Sequence, residues 1–147
     1  MTDFSKIPWI AKHIELYRTD PVKAHDWDSS ELGGPGVLPT LLLTTTGRSS
    51  GEPRSLPLIY GKTDGGFVVI ASKGGMPDHP HWFLNLEADP ACQIQVAADG
   101  HAAKARVAEG DERAQLWTMM AEIYPPYDEY QERAGDRRIP VVVLETQ

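Results

Sequence analysis

A serine, a lysine and two glycines stand together at Ser72-Lys73-Gly74-Gly75, directly after the apolar run Gly66-Phe67-Val68-Val69-Ile70. That run reads as a buried strand. Adjacent glycines let the backbone turn and bring its N–H groups close to a ligand, and a hydroxyl and an ammonium beside them suit an anion. The residues that follow, His79 to Ala88, predict a helix with Trp82, Phe83 and Leu86 on its buried side and Pro80 in the first turn, where proline is tolerated. A strand, a polar glycine turn and a helix start make the architecture of a phosphate cradle. The same residues also make an ordinary glycine-rich turn with a solvated lysine, and this stretch alone leaves both readings open.

Further cations lie nearby in the chain. Residues 40–75 hold Arg48, Arg54, Lys62 and Lys73 against Glu52 and Asp64, whereas residues 109–137 hold eight acids against Arg113, Arg133 and Arg137. A basic island in a chain of formal charge -7 points to an anion site, while the overall charge argues against a nucleic-acid partner. Trp82 adds a flat aromatic and Asn85 an amide, and Tyr124, Tyr127 and Tyr130 recur at spacing three. Phosphate, flat ring and amide-reading group together describe a nucleotide-like cofactor better than a protein partner. His79 and His81 have no evident third ligand, so no metal is expected. No nucleophile elbow is present, and Gly33-Gly34-Pro35-Gly36 is neither a P-loop nor a dinucleotide fingerprint.

The elements that must position these groups follow from pattern. The 147 residues, 41% of them hydrophobic, suffice for one domain over 1–147 with a core of its own. Residues 4–18 predict an amphipathic helix (1–18 as the N-terminal segment) with Ser5 as its N-cap, packed on the domain; its Lys6, Lys12 and Arg18 could also rest on a membrane surface. Residues 19–39, with Asp20-Pro21 and the glycines, read as a connecting loop. Thr40–Thr46 is strand-like, and residues 52–61 read as an edge or bulged strand because of Pro53 and Pro57. Asp64-Gly65-Gly66 signals a hairpin, and Asp99-Gly100 a turn between strands that begin near Gln93 and end near Val107. Residues 111–123 predict a helix, and residues 139–144 a buried closing strand. The sum is a mainly β chain with helices, of α+β class: an antiparallel β-barrel of about six strands flanked by helices. Cys92 is the sole cysteine, no apolar run approaches the roughly 18 residues of a membrane span, and the start does not read as a signal peptide. A cytoplasmic protein is expected, with peripheral contact at the inner face of the plasma membrane as the alternative; the oligomeric state is left open.

Five motifs in order carry a family resemblance. Leu41-Leu42-Leu43-Thr44-Thr45-Thr46-Gly47-Arg48 with Gly51-Glu52-Pro53-Arg54 resembles the opening of the deazaflavin-dependent nitroreductase family. Ala71-Ser72-Lys73-Gly74-Gly75, Pro80-x-Trp82-x-x-Asn85-Leu86, Tyr124-Pro125-x-Tyr127-x-x-Tyr130 and Arg138-Ile139-Pro140-Val141 resemble its later blocks. The resemblance spans residues 37–147 and implies a split β-barrel that binds coenzyme F-420, an 8-hydroxy-5-deazaflavin with a phosphate and a γ-glutamyl tail. It assigns the anionic side chain to Arg48, Ser49, Ser50 and Arg54 and to Ser72, Lys73, Gly74 and Gly75. It assigns the ring to Ser55, Leu56, Pro57, Leu58 and Ile59, with His81, Trp82 and Asn85 among the contacts. It puts Tyr127 near the ring, and Tyr130 and Tyr124 near the acceptor. Ser49 stands where the family usually carries lysine, which removes one cationic contact. The implied chemistry is hydride transfer to a small-molecule acceptor, a quinone or enone, with nitroaromatic compounds incidental. A non-catalytic cofactor carrier and an FMN-dependent split-barrel oxidase are the alternatives.

Overall fold

The structure is a computed structural model, and it describes residues 8–147. The helices are α1 (Pro8–Thr19), α2 (Pro21–His25), α3 (His81–Ala88), α4 (Gly110–Ile123) and α5 (Pro126–Ala134). The strands are β1 (Asp26–Asp28), β2 (Val37–Thr46), β3 (Pro53–Ile59), β4 (Gly61–Thr63), β5 (Gly66–Ile70), β6 (Ala91–Val96), β7 (Asp99–Val107) and β8 (Val141–Thr146). All pairings are antiparallel, in the order β1-β2-β6-β7-β8-β5-β4, with β3 paired to β2. The sheet curls into a half-barrel flanked by helices, the expected class. Among the described residues eight strands replace the expected six or so, because β1 and β4 are three residues each, too short to show a period-two pattern.

Alternation along the central strands builds two cores. On β8, Val142 and Leu144 turn into the barrel with Leu41, Leu43, Val69 and Ile94, while Val141 and Val143 turn outward to Met120, Leu116 and Ile139. A strand covered on both faces reads as a continuous apolar run, as Val141 to Leu144 does. Each such side chain contributes about 1.5–3 kcal/mol by burial. Helix α3 closes one end of the barrel with Trp82, Phe83 and Leu86, and α4 and α5 cover the outer face.

Residues 19–39, read as a loop, instead carry α2, β1, a 3-10 turn at Ser30–Leu32 and the start of β2. Asp20 caps α2 by accepting from the Lys23 N–H at 3.3 Å, with Pro21 in the first turn, so the Asp-Pro pair opens a helix here. Helix α1 docks through polar contacts: the His13 Nε2 meets the Ala24 carbonyl at 2.8 Å, Tyr17 donates to the Thr40 carbonyl, and Thr40 Oγ1 donates to the Ala24 carbonyl at 3.0 Å. Burial pushes the Tyr17 hydroxyl pKa up to about 12. The expected Ser5 cap lies outside the described residues. Helix α3 starts at His81, with Pro80 extended before it as the N-cap residue.

The turn between β6 and β7 falls at Ala97-Ala98, not Asp99-Gly100, since Val96 pairs with Asp99 and Ile94 with His101. Ala97 takes φ 52 to make it. Burial of Cys92, Ile94 and Ala103 on one face fixes that register against the turn chemistry. Strand β3 runs along β2 from Thr46↔Pro53 to Thr40↔Ile59, as the edge its prolines required.

Candidate active site

Two clefts open beside β3 and meet at a common wall. The first, about 250 Å³, is lined by Gly47, Arg48, Ser49, Ser50, Arg54, Ser55, Leu56, His81, Trp82 and Asn85. The second, about 350 Å³, runs over Leu56, Pro57, Leu58 and Ile59 to Ser72, Lys73, Gly74, Met76 and Pro80, with Tyr124, Tyr127 and Tyr130 along its wall. Leu56 and Trp82 belong to both. Of the residues that the resemblance assigns to the site, only Gly75 lines neither; it faces α5.

The first cleft takes its shape from the β2–β3 turn and α3. Asn85, buried on α3, accepts from the Arg48 N–H at 3.1 Å and from Arg48 Nη1 at 2.8 Å, and its Nδ2 donates to Thr45 Oγ1 at 3.1 Å. The amide named as a cofactor contact is thus committed to holding Arg48 against the end of β2. Arg48 Nη2 also faces His81 Nδ1 at 3.4 Å. Cross-strand neighbours Thr44 and Ser55 join their hydroxyls at 2.7 Å. Arg54 is exposed at the mouth. The result is a cationic pocket with a fixed guanidinium.

The glycine turn lies elsewhere. Lys73 lines the second cleft, apart from Arg48 and Arg54, so the basic island divides between the two. Its side chain is only 2% exposed, and its Nζ donates to Asp78 at 2.8 Å. That ammonium holds the Asp78 carboxyl below its ordinary pKa. Ser72 is right-handed (φ -76, ψ -40), while Lys73 (φ 49) and Gly74 (φ 62) are left-handed. This succession aims backbone N–H groups to one side, the geometry of an anion nest.

The tyrosines gather although Tyr124 ends α4 and the other two lie on α5. Ring centroids are 4.8 Å apart for Tyr124 and Tyr127, and 6.3 Å for Tyr127 and Tyr130. The Tyr124 and Tyr130 hydroxyls bond to each other at 2.7 Å, and Tyr124 also donates to the Leu32 carbonyl at 3.3 Å. No described residue hydrogen-bonds the Tyr127 hydroxyl, and Tyr127 lines the cleft. Burial raises the pKa of Tyr124 and Tyr127 above the ordinary phenol value, so both stay protonated.

Sequence reasoning missed one whole wall of the second cleft. Trp9 stacks on Trp27 with centroids 5.8 Å apart and planes 13° from parallel, and His13 stacks on Trp27 at 6.4 Å. These residues bring α1 and β1 over the cleft. Asp78 and Arg137 were missed as well. His79 and His81, the rejected metal pair, face different guanidiniums: His79 Nδ1 lies 3.1 Å from Arg137 Nη1, and His81 Nδ1 lies toward Arg48.

His13 and His79 have pKa values below the usual 6.5, chiefly from burial, with Arg137 adding to the effect at His79. The unfolded chain therefore binds these protons more readily than the fold does. Their contribution to stability is complete above the unfolded value of about 6.5 and is lost as pH falls through the lower folded values. Thermal melts should show Tm falling as pH drops from about 7 toward 5. A Tm that stays level or rises over that interval would refute this, and His79→Gln should make the slope shallower.

A model of the F-420H(2)-dependent quinone reductase family matches residues 19–146. The chain is 40% identical over 145 residues to an F-420H(2)-dependent quinone reductase of Mycobacterium tuberculosis, covering 92% of this chain and 95% of that one. Among solved structures, an F-420-H2 dependent reductase (FDR-A) is 42% identical with TM-score 0.66, over 72% of this chain and 93% of that one. A domain-swapped dimer is 35% identical with TM-score 0.70, over 94% and 98%. The heme storage protein HutZ from Vibrio cholerae, 19% identical with TM-score 0.56 over 74% and 81%, shares the fold.

Proposed function

The chain belongs to the F-420H(2)-dependent quinone reductase family, and from that premise we propose that its two joined clefts hold reduced coenzyme F-420 and a quinone-like acceptor. It is a deazaflavin-dependent oxidoreductase. The observation that carries the site assignment is the shared Trp82 wall between a cationic cleft and an apolar one. A ligand with a flat ring and an anionic tail needs those two environments side by side. The residues fit it: Arg48 and Arg54 for phosphate and tail carboxylates, Leu56 to Ile59 and Trp82 for the ring, and the Ser72–Gly74 backbone for polar ring or phosphate atoms.

When bound, the reduced deazaflavin supplies a hydride, and having carbon in place of flavin N5 it reacts poorly with oxygen. The chain supplies the rest. The β3 floor and the tryptophans exclude water and fix the distance between ring and acceptor. Tyr127, protonated and with no hydrogen-bond partner among the described residues, donates to the acceptor oxygen as negative charge develops there. Tyr124 and Tyr130, bonded to each other, both pack edge-on against the ring of Tyr127.

The test is direct. Purified protein is titrated with coenzyme F-420 and with FMN, and loss of the reduced deazaflavin absorbance is followed with a menadione-like quinone. Tighter binding of FMN, or binding without turnover, would overturn the reading. Asp78→Asn supplies a finer check. It removes a carboxylate charge beside the Lys73 ammonium and should tighten cofactor binding several-fold, with a steeper salt dependence. Lys73→Ala should then change affinity less than loss of either arginine does. An unaltered dissociation constant in Asp78→Asn would remove Lys73 from the anion site.

A peripheral membrane contact is supported by the cleft mouth. Trp9, Leu32 and Met76 line the second cleft, yet each keeps nearly half its surface exposed. No described helix is long and apolar enough to cross a membrane. An apolar rim around the acceptor entrance would let a lipid-dissolved quinone enter from a bilayer surface. Co-sedimentation with anionic vesicles, absent in Trp9→Ser, is the expected result.

A further inference from the structure

Arg137 lines neither cleft, yet it makes four polar contacts to the loop that forms one edge of the second. Its Nε donates to the Met76 carbonyl at 2.9 Å, Nη1 to the Ala71 carbonyl at 3.1 Å and Nη2 to the Ser72 carbonyl at 2.7 Å. Nη1 also lies 3.1 Å from His79 Nδ1. One planar guanidinium thus gathers three carbonyls from the two ends of a six-residue loop. The loop needs gathering. Three successive residues hold positive φ, 49 at Lys73, 62 at Gly74 and 82 at Gly75, and only glycine adopts that region readily.

The opposite side of the loop rests on α5. A Cβ on Gly75 would stand 2.5 Å from the Tyr130 carbonyl and 2.9 Å from Tyr130 Cα, so the backbones touch. Arg137 itself is anchored from α5, because Gln131 Nε2 donates to its carbonyl at 2.8 Å while Gln131 Oε1 accepts from the Ile139 N–H at 2.9 Å. The loop bearing Ser72 to Gly74 and the helix bearing Tyr127 and Tyr130 are thereby tied together at two places.

We propose that Arg137 is a positioning residue that locks the Ser72–Gly74 loop to the tyrosine helix, so that the cofactor side and the acceptor side of the second cleft keep one fixed spacing. This rests on the site assignment above. Without Arg137 the positive-φ turn relaxes, the N–H groups lose their common direction and the loop drifts from Tyr130. Cofactor affinity and turnover both fall, through geometry and not through a lost ligand contact.

The experiment compares wild type, Arg137→Ala and Arg137→Lys by coenzyme F-420 titration, amide hydrogen exchange without ligand, and steady-state kinetics with menadione. In Arg137→Ala we expect at least tenfold weaker F-420 binding. Exchange should be faster at residues 71–76 and in the first turns of α5, and unchanged in β2 and β8. Ethylguanidinium at low millimolar concentration should restore part of the affinity, while ethylammonium should not. Arg137→Lys, with one donor group in place of the fork, should fall between. Should Arg137→Ala fail to fold, Gly75→Ala separates loop from helix with Arg137 intact, and the same local exchange pattern and weaker binding are expected. Normal affinity and exchange in the folded variants, or faster exchange spread evenly over the sheet, would overturn the proposal. Absence of F-420 binding in wild type would overturn the site assignment instead, leaving the exchange pattern to decide whether Arg137 joins loop and helix.

Discussion

Tyr127→Phe is expected to lower turnover by about ten- to a thousandfold while leaving cofactor affinity and Tm close to wild type, the range seen when one donor to developing charge is removed. The expectation comes from an asymmetry among the three tyrosines. Tyr124 and Tyr130 spend their hydroxyls on each other and on the Leu32 carbonyl, whereas that of Tyr127 meets no described residue and its ring lines the acceptor cleft. Removing a hydroxyl that no described residue hydrogen-bonds costs the fold little. Removing the ring does not: Tyr127 is 5% exposed and packs edge-on against Tyr124, so Tyr127→Ala should cost on the order of 3–5 kcal/mol. Rate and melting temperature on the two variants separate the roles. Full activity in Tyr127→Phe would dismiss it as the donor, and full activity in all three Tyr→Phe variants would mean that the proton comes from water.

Arg48→Ala should be the most damaging single change to cofactor binding, by roughly 1.5–3 kcal/mol, or about ten- to 150-fold in dissociation constant. Arg48 is the cation whose position the fold fixes from behind, with Asn85 taking both its N–H and its Nη1. Arg54, exposed on an edge strand, should cost less and respond more to salt. Asn85→Ala, which removes the acceptor that holds Arg48, should reproduce part of the loss. Asn85→Asp, which sets a carboxylate against the guanidinium, should reproduce more. Equal effects of Arg48→Ala and Arg54→Ala at low and high salt would show that preorganisation contributes nothing here.

Much of this site could be read from the chain because its parts are local. Arg48 to Leu56 is one turn and one strand, His81 to Asn85 one helix turn, and Tyr124 to Tyr130 one corner. Spacing alone brings such residues together. The unread parts are long-range. Arg137 reaches carbonyls 61 to 66 positions away, and backbone acceptors leave no mark on composition. Trp9 and Trp27 come together because α1 and α2 fold back on Thr40, in a stretch whose prolines and glycines signalled only a loop. The Asp78 carboxylate, five residues from Lys73, was visible in sequence, but only the compact loop aims it at the ammonium. At the β6–β7 turn the sequence misled: Asp-Gly is a strong turn signal, yet burial of alternate side chains set the register two residues earlier.

The edge strand that floors both clefts has a consequence for how the protein behaves in a crowded solution. Among the described residues strand β3 pairs with β2 alone, so its other edge would normally be a template for a foreign strand. Pro53 and Pro57 have the same parity along β3, and a proline can sit in a ladder only where its nitrogen points away from the partner. Of the outward positions Pro53, Ser55, Pro57 and Ile59, only Ser55 and Ile59 can then donate. Two prolines four residues apart thus halve the donors of the edge and weaken it against strand addition and fibril-like stacking where β3 floors the site. Pro57→Val would restore a donor and is the change by which this enzyme would begin to self-associate without any loss of its fold.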